Sequence, residues 1–176
     1  MKGFERKNRY FSLCGLNCAL CPMYVGGYCP SCGGGAGNQS CRIAKCSIEQ
    51  GGIEFCFECK KYPCEHYGEE DVVDSFITYR NRRADAERAK KDIRSYIREQ
   101  EEKEKILLWL LSECNDGRRK TLFCTAVNLL SLHQLEKVMN VLQEDKTELL
   151  KEKASLAATL LQEEAKKQGI SLSLRK

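Results

Sequence analysis

Residues 14–66 read CGLNCALCPMYVGGYCPSCGGGAGNQSCRIAKCSIEQGGIEFCFECKKYPCEH, and this stretch decides how the chain folds. Ten of the twelve cysteines lie in it, whereas Cys114 and Cys124 stand alone far downstream. In order, the candidate ligands are Cys14-x3-Cys18-x2-Cys21, Cys29-x2-Cys32, Cys41-x4-Cys46 and Cys56-x2-Cys59-x4-Cys64-x-His66. Three of these groups contain Cys-x2-Cys, a spacing that lets one tight turn present two thiolates to a single ion. Gly26–Gly27, Gly33 to Gly35, Gly37, Gly51–Gly52, Pro22, Pro30 and Pro63 punctuate the stretch, and no helical or strand period runs through it, so loops and knuckles are predicted. A short segment poor in branched aliphatic residues cannot offset its ordering entropy by burial alone. The predicted fold is a small metal-stabilised cysteine-rich module with little regular structure over residues 10–68, followed by a mainly α-helical region over residues 69–176.

Zinc suits the donor set because thiolates are soft ligands and four of them complete a tetrahedral shell. The simplest partition joins Cys29 and Cys32 to Cys41 and Cys46 across the GGGAG loop. Cys14, Cys18, Cys21, Cys56, Cys59 and Cys64, with His66 as a further candidate, are left to complete one more four-ligand site or two bridged ions. Two or more zinc ions are therefore expected. The alternative is iron in a [4Fe–4S] cluster, since cysteine thiolates hold these as well. Cys14-x3-Cys18-x2-Cys21 matches the three-cysteine run of radical S-adenosylmethionine enzymes, but those need a large α/β barrel and no alternation of strands and helices follows here. An iron–sulfur electron carrier is the more natural form of this alternative. The Gly33 to Gly37 run lacks a following Gly-Lys-Ser/Thr and reads as a spacer rather than a phosphate loop.

Beyond about Glu69 the apolar residues recur with a helical period. Val72, Val73, Phe76, Ile77, Ile93, Tyr96 and Ile97 mark a first helical region, within which Arg80 to Asp92, whose only apolar members are alanines, is predicted as solvent-facing helix. Ile106 to Leu111 form the densest apolar run and end at Asn115-Asp116-Gly117, a stop signal. Leu122 to Leu130 make a short helix. Ser131 and Gln134 form a capping box ahead of Leu135, Val138, Met139 and Leu142. A last helix over about Lys146 to Gln168 presents Leu149, Leu150, Leu156, Leu160 and Leu161 and stops at Gly169. The tail Ile170 to Leu174 reads as an edge strand or a disordered end. Cys114 and Cys124 read as ordinary buried or partly exposed thiols, and His133 as an exposed helix residue.

Lys and Arg outnumber Asp and Glu by 8 to 5 over residues 1–68 and by 21 to 20 over residues 69–176, too even for the concentrated basic face of a dedicated nucleic-acid binder. Arg80, Arg82, Arg83, Arg118, Arg119 and Lys120 lack interleaved aromatics for stacking bases and read as a solvated face or a partner surface. Two histidines leave little choice of catalytic base, so the reading leans away from an enzyme. Met1 to Ser12 carry no apolar secretory core, and Ile106 to Leu111 are far shorter than the roughly 20 residues of a membrane span, so a cytoplasmic protein without a membrane anchor is expected. In a reducing compartment dense cysteines serve as ligands rather than disulfides. A protein partner, or self-association through the helical region, is the expected use.

The segment resembles the cysteine-rich domain of unknown function 3795. The residues that carry the resemblance are Cys14-Gly15-Leu16-Asn17-Cys18-Ala19-Leu20-Cys21-Pro22, Cys29-Pro30-Ser31-Cys32, Cys41-Arg42-Ile43-Ala44-Lys45-Cys46 and Cys56-Phe57-Glu58-Cys59-Lys60-Lys61-Tyr62-Pro63-Cys64, within about Tyr10 to Tyr67. Asp116-Gly117-Arg118-Arg119-Lys120 leading into Leu122-Phe123-Cys124 is similar to the helical tails of longer members. The resemblance implies a zinc-binding module and no particular activity.

Overall fold

The computed structural model describes residues 3–35, 41–67 and 73–176. Glu69, Val72 and Gly37, which figure in the readings above, fall outside them. Among the described residues the chain is mainly helical, and the only β pairing is an isolated antiparallel bridge between Phe11 and Asn17. Seven α-helices follow in order: α1 (Pro22–Val25), α2 (Arg42–Glu49), α3 (Arg82–Lys91), α4 (Ile93–Glu113), α5 (Lys120–Leu129), α6 (Leu132–Glu144) and α7 (Leu150–Lys167).

The core lies among α4 to α7. Leu107 and Leu110 of α4, Phe123, Ala126 and Val127 of α5, Leu135, Val138 and Leu142 of α6, and Ala157 and Leu161 of α7 meet in one cluster. Their spacings of three and four residues place each set on one helix face. Local signals set the helix ends. Gly117 takes a positive φ in the Asn115 to Gly117 turn after α4. Ser131 Oγ and the Gln134 side chain cap α6 reciprocally, as expected from the sequence. The chain stops at Gly169 after α7, again with positive φ. The apolar stripes of residues 107–111 and 122–142 thus serve mainly as core.

Four expectations need correction. Residues 73–81 are not helical, because Asp74 is drawn into contacts with Tyr79 and Arg175 instead of a helical ladder. Helix α3 faces solvent on one side only: Arg83, Glu87, Arg88, Lys90 and Lys91 are exposed, whereas Ala86 and Ala89 are fully buried against Phe11, Phe55 and Tyr96, and their small side chains let the helix approach that aromatic cluster closely. Arg82 is buried on the same face, with its guanidinium 5.6 Å from the Tyr79 ring, and Arg80 donates to the carbonyls of Ser171 and Ser173. The basic cluster is therefore partly structural. Helix α7 begins only at Leu150, which leaves Leu149 and Leu150 exposed, and the tail that follows it is neither strand nor loose end: Ile170 and Leu172 pack on the core.

The cysteine segment is more regular than expected. Helix α2 makes two turns, and Cys18–Leu20, Cys56–Glu58 and Glu65–Tyr67 form 3-10 turns. The segment is also tied to the helices. Leu20 is fully buried in the core of α4 to α7, and Asn128 of α5 donates to the Leu20 carbonyl at 3.2 Å. None of the described helices is long and apolar enough to cross a membrane.

Candidate metal centre

Two of the Cys-x2-Cys knuckles share one geometry. Cys18 to Cys21 and Cys56 to Cys59 each close a 3-10 turn through an N–H to carbonyl bond of 3.0 Å from the second cysteine back to the first. In the second turn the Glu58 carboxylate accepts the Phe55 N–H at 3.0 Å, which fixes its entry. The third knuckle, Cys29 to Cys32, is tighter. Ser31 takes a φ of 71°, and a Cβ on Gly34 would sit 1.7 Å from the Pro30 carbonyl oxygen, so glycine is required there.

The thiols collect in two places. At the first, backbone N–H groups point at sulfur: that of Leu16 at Cys14, that of Cys32 at Cys18, and those of Met23 and Tyr24 at Cys21. The Ser12 hydroxyl lies 3.1 Å from Cys14 Sγ. Cys18 is near enough to Cys14, Cys32 and Cys21 for their charges to be felt, and Cys21 is likewise close to Cys29 and to Cys124 of α5. Burial raises the thiol pKa values of Cys14, Cys18 and Cys21, and neighbouring sulfurs raise them further. Burial likewise pushes Cys124 up to about 12. Such thiols are neutral unless a cation displaces their protons.

The second gathering is a cavity of about 30 Å³ between α2 and the chain that returns after it. Ile43, Cys46, Ser47 and Gln50 face it from one side of α2, as their three- and four-residue spacings dictate. Cys56, Cys59, Cys64 and His66 face it from the other side. Ser47 Oγ donates to the Ile53 carbonyl at 2.7 Å and holds the returning chain in place. Leu13 and Ile43 line this cavity and also belong to the apolar cluster on which Cys14, Cys32 and Cys56 pack, so the two gatherings meet at that cluster. Cys41 is exposed at the start of α2.

None of the twelve cysteines is joined in a disulfide. Among the described residues, no three His, Cys, Asp or Glu side chains already stand in metal-binding geometry. The cysteines line common spaces without converging on one point. As donors, four thiols around a space of one small ion's size do fit a thiophilic metal. Of the four cysteines that the sequence groups, Cys32 is near Cys14 and Cys18, and Cys46 faces the cavity with Cys56, Cys59 and Cys64.

Arg6 holds the knuckles together, and no sequence signal singled it out among the early basic residues. Its buried guanidinium donates to the carbonyls of Glu54, Phe11 and Cys32, while its backbone N–H donates to the Gly33 carbonyl at 3.2 Å. A buried polar cluster was equally unannounced: Tyr96 Oη donates to Asn17 Oδ1 at 2.9 Å, and Asn17 Nδ2 donates to Asp85 Oδ2 at 3.1 Å.

Residues 26–69 match the family model described as a protein of unknown function, DUF3795. Over this stretch the chain is similar to the DUF3795 family. The DUF3795 match takes in Cys29 to Cys64 and His66 but leaves out Cys14, Cys18 and Cys21, although the structure packs Cys14 and Cys18 against Cys32 of the DUF3795 stretch. No curated protein and no solved structure matches the chain.

Proposed function

We propose that the chain is a metal-binding protein whose cysteine thiolates hold structural zinc, two or more ions, and so rigidify a surface that serves a protein interaction. The observation that carries this reading is the small cavity faced by Cys46, Cys56, Cys59, Cys64 and His66, a density of soft donors that an apolar core would not gather for packing alone. Zinc would supply cross-linking without redox chemistry, linking α2 to the loop that follows it. Because the ligands bind as thiolates, loading releases protons and its free energy adds to folding. The helical region supplies the platform, joined to the cysteine segment through Leu20, Asn17 and Asn128.

Metal and acid-labile sulfide analysis of anaerobically purified protein tests this. The expected result is a colourless chain carrying two or more zinc ions and no sulfide. Iron with sulfide and absorption near 400 nm would replace this reading with an iron–sulfur redox protein, and a metal-free chain that keeps its fold would overturn both.

A further inference from the structure

Taking thiolate metal binding as the starting point, we infer that the cysteines form two independent four-thiolate sites that interleave along the sequence. One site is Cys14, Cys18, Cys21 and Cys32. The other is Cys46, Cys56, Cys59 and Cys64. Cys32, felt at both Cys14 and Cys18, takes the fourth place ahead of Cys29, which is felt at Cys21, and Cys41 belongs to neither site.

Three observations lead here. The cavity between α2 and the returning chain collects exactly one cysteine from α2, both ends of the Cys56 to Cys59 turn, and Cys64, in a volume of about 30 Å³, close to the space of a single water and thus suited to one ion. Around Cys18, the backbone N–H groups of Leu16, Cys32, Met23 and Tyr24 are aimed at the sulfurs of Cys14, Cys18 and Cys21, which brings Cys32 and these three thiols into one neighbourhood. None of Cys14, Cys18, Cys21 and Cys32 lines the second cavity, although Cys56 packs on the same Leu13 and Ile43 cluster as Cys14 and Cys32. Cys41 is exposed and lines neither space. His66 faces the second cavity, but four thiolates already fill a tetrahedral shell, and its carbonyl is held by Arg42 at 3.3 Å.

Zinc content per chain, measured on the full-length protein, separates this division from one in which Cys29, Cys32, Cys41 and Cys46 share an ion. The unaltered chain binds two zinc ions. Cys46→Ser with Cys59→Ser removes one, Cys18→Ser with Cys32→Ser removes the other, and Cys32→Ser with Cys46→Ser removes both. Cys29→Ser with Cys41→Ser, and His66→Ala, keep both. Loss of an ion from either of these last two variants, or loss of only one from the Cys32 and Cys46 pair, overturns the division. Absence of zinc from the unaltered chain would instead overturn the metal-binding proposal itself. A measurement without substitutions covers variants that fail to fold: brief alkylation of the zinc-loaded chain, mapped by mass spectrometry, labels Cys29 and Cys41 and spares the eight ligands. Protection of Cys41 together with labelling of Cys59 would reject the assignment.

Discussion

The Asp74 carboxylate takes three hydrogen bonds from Arg175, 101 positions away in sequence: from the backbone N–H at 2.9 Å, from Nη2 at 2.8 Å and from Nε at 3.3 Å. Asp74 returns one from its own N–H to the Arg175 carbonyl at 3.0 Å, and the Tyr79 N–H adds a fourth to the carboxylate. This is a two-way clamp that fastens the segment after α7 to the turn before α3. Burial alone would raise the carboxyl pKa, but the Arg175 guanidinium and these N–H donors outweigh it and hold it at about 2. A carboxyl with a depressed folded-state pKa contributes stability that is complete above its unfolded value and is lost as pH falls through the folded one. Asp74→Asn should therefore be less stable than the parent by on the order of 2 kcal/mol at neutral pH. The gap should close between pH 4 and pH 2. Denaturant melts at pH 7, 4 and 2.5 check this, and a gap that does not narrow would show that the clamp works by shape alone.

Asp85 should behave in the opposite sense. It is buried between Asn17 and α4, and burial raises its pKa to about 6 despite the favourable charges of Lys103 and Arg88 and the hydrogen bond from Asn17. A raised carboxyl contributes stability below its unfolded pKa and loses it as pH climbs through the folded value. Asp85→Asn lacks that loss and can still accept from Asn17. Its stability relative to the parent should rise by on the order of 3 kcal/mol between pH 4 and pH 7. The two carboxylates thus leave separable signatures, one below pH 4 and one between 4 and 6. A flat difference between parent and variant across the upper window would mean that Asp85 is ionised throughout.

Gly15 joins the first cysteine turn to α3. Its φ is +86°, and a Cβ there would lie 2.6 Å from the backbone oxygen of Arg82. Gly15→Ala meets both the left-handed backbone penalty and a contact with an atom that cannot swing aside, for an expected loss of at least about 2 kcal/mol. Gly27, also at positive φ but with nothing within 4 Å of the added carbon, should lose only the backbone share, about 1 kcal/mol. Equal losses at the two positions would mean that the first turn does not press on α3.

What could be read from the sequence was local. The capping pair Ser131 and Gln134 and the Asn115-Asp116-Gly117 stop carry their meaning within four residues, and both appear where expected. Phe76 and Ile77 follow Val73 with spacing compatible with a helix, yet the chain there is held open by Arg175, a partner no window around residue 75 contains. The cysteine turns themselves were legible from their spacing. How they would group around ions depends on tertiary packing, such as which face of α2 carries Cys46, and spacing along the chain does not encode that. The same holds for Arg6, whose carbonyl partners span residues 11 to 54.

Leu20 and Leu149 show how far helical periodicity can mislead about burial. Leu149 reads as the first apolar position of α7 but is 63% exposed, whereas Leu20 sits in a cysteine turn and is 0% exposed within the core of α4 to α7. Leu20→Ala removes buried methyl groups and leaves a cavity between the cysteine segment and α5, at an expected cost of about 3 kcal/mol. Leu149→Ser changes a solvated side chain and should stay within about 0.5 kcal/mol of the parent. The helical signal at 222 nm is the right monitor, because it comes mainly from α4 to α7. If a residue of the cysteine segment lowers the melting temperature of those helices while one on their own margin does not, the two regions unfold together. If Leu20→Ala leaves the helical transition in place and only loosens the cysteine segment, they fold as separate units.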